Sequence, residues 1–200
     1  MKNIAIMAWW DSSEYEVSLK SAENINKALL ELGEYRTFLI VCKWKSWLYI
    51  KEDCTEVQID KNDFSLMVDW EKIFFNFVYI TIHWTPWENW KIQWYLDMMG
   101  IPYSTWWVLN TSIWFNKCIS KLIVKSAWVL SPRWICIKKW DKYDEGQIVS
   151  DLWLPLFVKP NEWWSSFWIT KVKNLKDLRA WIEKAFSEWG CVLLEEAIDL

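Results

Sequence analysis

Apolar positions along the chain change their period several times, and each change predicts an element. Ile4-Ala5-Ile6-Met7-Ala8 is an unbroken apolar run of strand length, the pattern of a strand buried on both faces. Asp11-Ser12-Ser13 then supplies N-cap residues, and Ser13 with Glu16 forms a capping box. Val17, Ala22, Ile25, Leu29 and Leu32 recur near helical spacing, which predicts a helix running to about Gly33, where a C-cap glycine belongs. Thr37-Phe38-Leu39-Ile40-Val41 is a second strand. This strand-helix-strand opening is the start of a doubly wound sheet.

Residues 46–75 alternate short apolar stretches with Asp, Lys and Glu, the pattern of hairpin strands. Phe77 to Ile82 is a strong buried strand ending at His83. Lys91 to Met99 reads as a helix stopped by Gly100, and a first domain is expected over residues 1–104. Beyond it, Thr111 to Ala127 reads as one helix with Ile119, Leu122 and Ile123 on its apolar side. Ile135-Cys136-Ile137 and Leu156-Phe157-Val158 are strands, and the second delivers Lys159-Pro160. A helix starts at Asn174, with Leu175, Leu178, Ile182, Ala185 and Phe186 at a period of 3.6, and Val192-Leu193-Leu194 is a last strand. The fold class is α/β.

Composition adds one anomaly. The 200 residues hold 21 Trp and only 4 Gly, whereas average usage would give roughly fourteen glycines. At 53% hydrophobic and 24% charged the chain is that of a globular protein, and its net charge of -3 argues against a binder of phosphate backbones. No apolar run approaches the roughly 20 residues of a membrane span, and the N-terminus does not read as a signal peptide. Nucleic acid and membrane are therefore not expected partners, and a cytoplasmic location is. The five cysteines (Cys42, Cys54, Cys118, Cys136, Cys191) are scattered without Cys-x-x-Cys spacing, so reduced thiols are expected rather than a disulfide framework or a zinc site.

Four places could carry chemistry. Glu14 lies at the positive end of the first helix, where it either meets a ligand or only satisfies the helix dipole with Glu16. His83 ends the strongest strand, beyond whose carboxyl end ligands bind in open α/β sheets. Lys117, within the helix, and Lys159, after a strand, are candidate phosphate contacts or ordinary solvated lysines. Ser165 and Ser166, in the loop from Lys159 to Phe167, could offer hydroxyl and N–H groups to phosphate oxygens, although that loop lacks the glycine of a phosphate cradle.

Taken in order, several stretches resemble the D-alanine–D-alanine ligases of the ATP-grasp superfamily. They are Asp11-Ser12-Ser13-Glu14-Tyr15-Glu16-Val17-Ser18-Leu19, the run from His83 to Trp94, Ile101-Pro102-Tyr103-Ser104, Phe115-Asn116-Lys117, and Leu156 through Trp168. The resemblance implies an N-terminal doubly wound parallel-sheet domain (1–104), an ATP-grasp central domain (105–188), and the start of a truncated C-terminal ATP-grasp domain (189–200). It also implies an ATP-dependent ligase that joins two D-alanines through an acylphosphate for peptidoglycan precursors. Residue by residue, Glu14 would hold the first D-alanine's ammonium, Ser165 would hydrogen-bond to Glu14, and His83 and Ser18 would border that substrate. Lys117 and Lys159 would neutralise ATP phosphates, with Ser166 in the covering loop. Glu195 would meet the adenine amino group, with Glu196 and Ile198 at the hinge beside the ring. Mg²⁺ (or Mn²⁺) would bridge the phosphates with ligands outside this chain, and the family also forms homodimers.

The sequence departs from the family in one systematic way. Tryptophan stands where the family has glycine: Trp9, Trp10, Trp84, Trp87, Trp90, Trp94, one or both of Trp106 and Trp107, Trp164 and Trp168. Trp47 and Trp181 instead sit in apolar contexts as ordinary core residues. Bulky residues at glycine positions strain the backbone by about 1–3 kcal/mol each, so impaired turnover is expected of the chain as written. A non-catalytic, Trp-rich nucleotide-binding or interaction fragment and a D-alanine–D-lactate ligase are the alternatives.

Overall fold

The computed structural model describes residues 1–9, 15–43, 45–51, 53–81, 90–162 and 168–198. They divide into two compact units, Met1–Thr111 and Ser112–Leu200, and the division falls inside one helix.

In the first unit, β1 (Lys2–Trp9), α1 (Tyr15–Glu31) and β2 (Tyr35–Cys42) realise the expected opening, with β1 and β2 parallel. Next come β3 (Trp47–Ile50), β4 (Glu56–Asp60), β5 (Ser65–Val68), β6 (Glu71–Phe74) and β7 (Phe77–Ile80). They complete a seven-stranded sheet of order β6-β5-β4-β3-β2-β1-β7. Among the described strands, the pairings of β1 with β2 and with β7 are the parallel ones; the hairpin strands over 47–74 extend the sheet antiparallel.

Strand β1 is apolar from Ile4 to Ala8 because both faces of that stretch are covered. Ile4, Ile6 and Ala8 pack with Ala22, Ile25 and Leu29 of α1. On the opposite face, Ala5 and Met7 join Phe38, Ile40, Trp47, Phe64 and Phe75, with Ile92 and Leu96 of α2 (Lys91–Met98). The inward stripe of α1 is thus Ser18, Ala22, Ile25 and Leu29, while Val17 and Leu32, expected to face inward, are exposed. Leu32 lies beyond the last helical turn and cannot share its face. Trp47 is core, as its context predicted; its ring meets Tyr95 edge-on at 5.3 Å, and Tyr95 donates to the Lys61 carbonyl at 2.7 Å. Burial pushes the Tyr95 phenol up to about 12. The segment 102–104 runs beside β7, held by Val78 N–H to Pro102 O, Ser104 N–H to Val78 O, and Ile80 N–H to the Ser104 hydroxyl.

The expected helix from Thr111 to Ala127 is two helices, α3 (Val108–Phe115) and α4 (Lys117–Ser126). The break is Asn116, whose extended backbone cannot continue α3 and whose side-chain oxygen accepts from Ile119 N–H as the cap of α4. The second unit then contains β8 (Trp134–Lys138), α5 (Glu145–Leu152), β9 (Leu156–Pro160), β10 (Thr170–Val172), α6 (Leu175–Glu188) and β11 (Cys191–Glu196). The sheet is antiparallel throughout, in the order β10-β9-β11-β8. Helices α5 and α6 bury one face of it through Ile148, Leu152, Leu178, Ile182 and Phe186, with Trp181 packed alongside. The short helix α5 escapes a reading by period because it offers only two buried positions, Ile148 and Leu152. The tail beyond residue 188 supplies β11 to the interior of this sheet.

Candidate functional site

Side chains alternate across the second sheet, so residues two apart share a face. Val192 and Leu194 of β11 face α5 and α6, as do Leu156 and Val158 of β9. Leu193 and Glu195 therefore share the opposite face with Lys159, which pairs with Leu193. There the Glu195 carboxylate bonds both Lys159, from β9, and Lys121, from α4. All three side chains are largely buried, with exposures of 10%, 19% and 16%. Burial alone would raise the Glu195 carboxyl; the bonds from Lys121 and Lys159 outweigh it and hold the group below its usual range.

Lys117 opens α4 rather than lying within a longer helix, and its ammonium donates to the carbonyls of Asn161 at 3.2 Å and Pro160 at 3.4 Å. The same corner is tied twice more. Cys118 N–H donates to Asn161 Oδ1 at 2.8 Å, and Asn116 Nδ2 donates to Glu162 at 2.8 Å. Two lysines thus share one carboxylate on this face, and a third, Lys117, is held at the carbonyls where β9 ends. Lys117, Lys121 and Lys159 stand there against Glu195 and Glu162, a cationic balance suited to an anionic ligand.

Glu196 is committed elsewhere. It accepts from Arg133 N–H at 2.7 Å and from the guanidinium at 2.6 Å, and these bonds hold its carboxyl below the usual range. Ile198, just past β11, is exposed. In the first unit Ser18 is fully buried, and its hydroxyl donates to Thr81 O at 3.0 Å; Thr81 Oγ1 in turn donates to Met7 O at 2.9 Å. Ser18 therefore locks α1 onto the carboxyl ends of β1 and β7, the edge beyond which ligands bind in such sheets. Glu14, His83, Ser165 and Ser166 lie outside the described residues, as do Trp10, Trp84, Trp87 and Trp164.

The structure brings Lys159, Lys121 and Glu195 together, with Lys117 anchored to the same strand end. Lys121 was legible as the residue one turn after Lys117 on a helix, but its acidic partner was not. Asn161 was read only as loop, though its amide organises the start of α4. The expectation of five reduced thiols is corrected: Cys118 and Cys136 form a disulfide, while Cys42, Cys54 and Cys191 are free. Residues far apart in sequence were brought together by packing α4 on β8, which spacing could not reveal.

Comparison with known proteins adds the following. Residues 123–200 match the family model described as D-ala D-ala ligase C-terminus. The D-alanine--D-alanine ligase of Parabacteroides distasonis is 40% identical over 198 residues, which cover 99% of this chain and 60% of that protein. The enzyme of the same name from Porphyromonas gingivalis is also 40% identical, over 98% of this chain and 59% of its own. Among solved structures, D-alanyl-alanine synthetase A from Vibrio cholerae superposes with a TM-score of 0.87 at 27% identity, covering 99% of this chain and 60% of that one. The chain thus spans about 60% of the length of the relatives it matches. No helix among the described residues is long and apolar enough to cross a membrane.

Proposed function

We propose that this chain belongs to the D-alanine–D-alanine ligase family over the part of those enzymes that it spans, and that it serves an ATP-dependent ligation of two D-alanines. The observation that supports the reading is the cationic corner at the end of β9, where Lys121 and Lys159 share Glu195 and Lys117 is held by the carbonyls of Pro160 and Asn161. Bound ATP would supply the phosphoryl group that activates the first D-alanine's carboxylate as an acylphosphate, which the second D-alanine's amine opens with loss of phosphate.

In this reading Lys159 and Lys117 hold phosphate oxygens, and Lys121 keeps Glu195 ionised so that Lys159 stays fixed in place. The electrostatic work of phosphoryl transfer is mostly such positioning. Glu195 bonds two lysines, so a contact with the adenine amino group would compete with those bonds; the role that fits it best is orienting Lys159. Glu196 and Ile198 would border the ring through backbone groups, since the Glu196 carboxylate is engaged by Arg133. Glu14, His83 and Ser18 fall to the first D-alanine, with Ser18 acting as a positioning residue for α1. Ser165 would hydrogen-bond to Glu14, and Ser166 falls to the loop over the phosphates. Mg²⁺ (or Mn²⁺) belongs to the same reading. Among the described residues, however, the one cluster of three metal-ligating side chains is made of cysteine sulfurs, two of them joined in the disulfide, which does not fit a hard cation.

The test is calorimetric titration of ATP with Mg²⁺ into this chain and its Lys159→Ala and Lys117→Ala variants. Binding weakened more than about tenfold in both variants, the scale of a lost charged contact, is the expected result. Equal affinity in all three would overturn the assignment of the corner. Formation of ADP only when D-alanine is present then separates the ligase from a non-catalytic nucleotide-binding fragment.

A further inference from the structure

Outside the cationic corner, the second unit gathers three cysteines. Cys136 lies in mid-β8 opposite Leu193, and Cys191 opens β11 opposite Lys138, so the two are diagonal neighbours on one face of the sheet. Cys118, in the first turn of α4, reaches the same face and forms the disulfide with Cys136, with their Cα atoms 6.2 Å apart. All three sulfur atoms lie within 4.8 Å of one another. The arrangement does not depend on the disulfide to hold it. Buried Asn161 accepts from Cys118 N–H through its side chain at 2.8 Å and donates its own N–H to Cys191 O at 2.9 Å. One side chain and one backbone amide thus fix the separation between α4 and β11.

We propose that Cys118, Cys136 and Cys191 form a three-thiolate site for a thiophilic divalent cation of the Zn²⁺ type when the disulfide is reduced. Zinc–sulfur bonds of about 2.3 Å in a tetrahedron place the sulfurs roughly 3.8 Å apart, so on reduction the bonded Cys118 and Cys136 sulfurs must separate to that spacing, while Cys191, within 4.8 Å of both, already lies in reach. A three-sulfur set selects Zn²⁺ over Mg²⁺ or Ca²⁺, and the fourth position falls to water. The chemistry has two steps. A thiol reductant transfers two electrons and two protons to the Cys118–Cys136 bond and is itself oxidised to a disulfide. The three thiols then bind Zn²⁺ and release three protons to solvent. Cys191 carries the distinction between the states, being a free thiol in the oxidised form and a ligand in the reduced one.

The test uses the whole chain, fully reduced and kept from air, with free thiols counted first in a denatured aliquot, where all five, buried Cys42 included, must react. Co²⁺ serves as the spectroscopic probe and Zn²⁺ as its competitor. The expected result is one Co²⁺ per chain with strong sulfur-to-metal charge-transfer absorption, displaced by Zn²⁺. Cys191→Ser should weaken binding by more than about tenfold, while Cys54→Ser, at an exposed position, leaves it unchanged. As a second measurement, alkylation of Cys191 should slow when Zn²⁺ is added to the unmutated chain, which decides the matter even if the serine variant misfolds. Absence of the charge-transfer band, or a rate of Cys191 alkylation indifferent to Zn²⁺, overturns the site.

Discussion

Gly100 and Trp128 occupy the same position in two copies of one motif. After α2, Gly100 N–H bonds Asp97 O and Ile101 N–H bonds Leu96 O; after α4, Trp128 N–H bonds Lys125 O and Val129 N–H bonds Val124 O. Both residues have left-handed backbone, with φ of 68° and 58°. This helix ending favours glycine because a Cβ there crowds the following carbonyl. Trp70 (φ 68°), Trp90 (φ 75°) and Trp153 (φ 60°) repeat the conflict, so that four of the seven non-glycine residues with positive φ among the described residues are tryptophan. Trp153, with ψ of 165°, sits in a region reserved almost wholly for glycine. Trp128 is 94% exposed and loses no burial when removed. Relief of about 1–2 kcal/mol of left-handed strain is opposed by about 0.5–1 kcal/mol of extra glycine entropy in the unfolded chain. Trp128→Gly is therefore expected to stabilise by about 0.5–1 kcal/mol, raising the thermal midpoint by roughly 1–4 °C in calorimetry; a lower midpoint would contradict the strain argument. The sequence exposed this conflict through the family's glycines at Trp90, but Trp70, Trp128 and Trp153 became legible only with backbone angles.

At the level of the element, α4 shows where periodicity fails. Ile119, Leu122 and Ile123 were expected to face inward, yet all three are exposed, while Cys118, Ser120 and Lys121 are turned in. A count of apolar positions assumes that burial follows hydrophobicity. Here the helix docks through one ion pair to Glu195, a disulfide, and hydrogen bonds to Asn161, and these partners come from β11, from β8 and from the residue just after β9. The dependence on one carboxylate has a pH signature. Glu195 titrates below its unfolded value near 4.5, so its contribution is fully present above that pH and is lost as pH falls through the folded value. Glu195→Gln is expected to cost on the order of 3 kcal/mol near neutrality, because two buried lysines lose their counter-charge. It should also make the stability curve shallower between pH 4.5 and the acid transition. Urea unfolding at several pH values measures both; an unchanged slope would remove Glu195 from the acid response.

Over the whole molecule, the α/β class, the parallel start of the first sheet and the order of the motifs were legible. Strands β1 and β9 and helix α6 carry their burial in their own composition. The hairpin extension over residues 47–74 was visible as alternation, but not its place at one edge of the first sheet. Of the candidate site, Lys159 was legible because a buried strand delivers it, and Lys117 because the Phe115-Asn116-Lys117 motif carries it. That Glu195 joins Lys121 to Lys159 follows from strand register and helix placement, which no local pattern encodes.

The left-handed tryptophans also bear on how the chain is made. A coding triplet translated as tryptophan in one cell and as glycine in another would set tryptophan at all such places together. The same exchange would account for the 21 Trp and 4 Gly of the composition. Protein purified from its own organism is then expected to give lighter peptides across residues 126–133 and 68–72, each by the difference between an indole side chain and a hydrogen. Peptide mass spectrometry reads this directly. An intact indole at residue 128 would instead mean that the fold carries the strain in life, and that its neighbours have adapted to hold it.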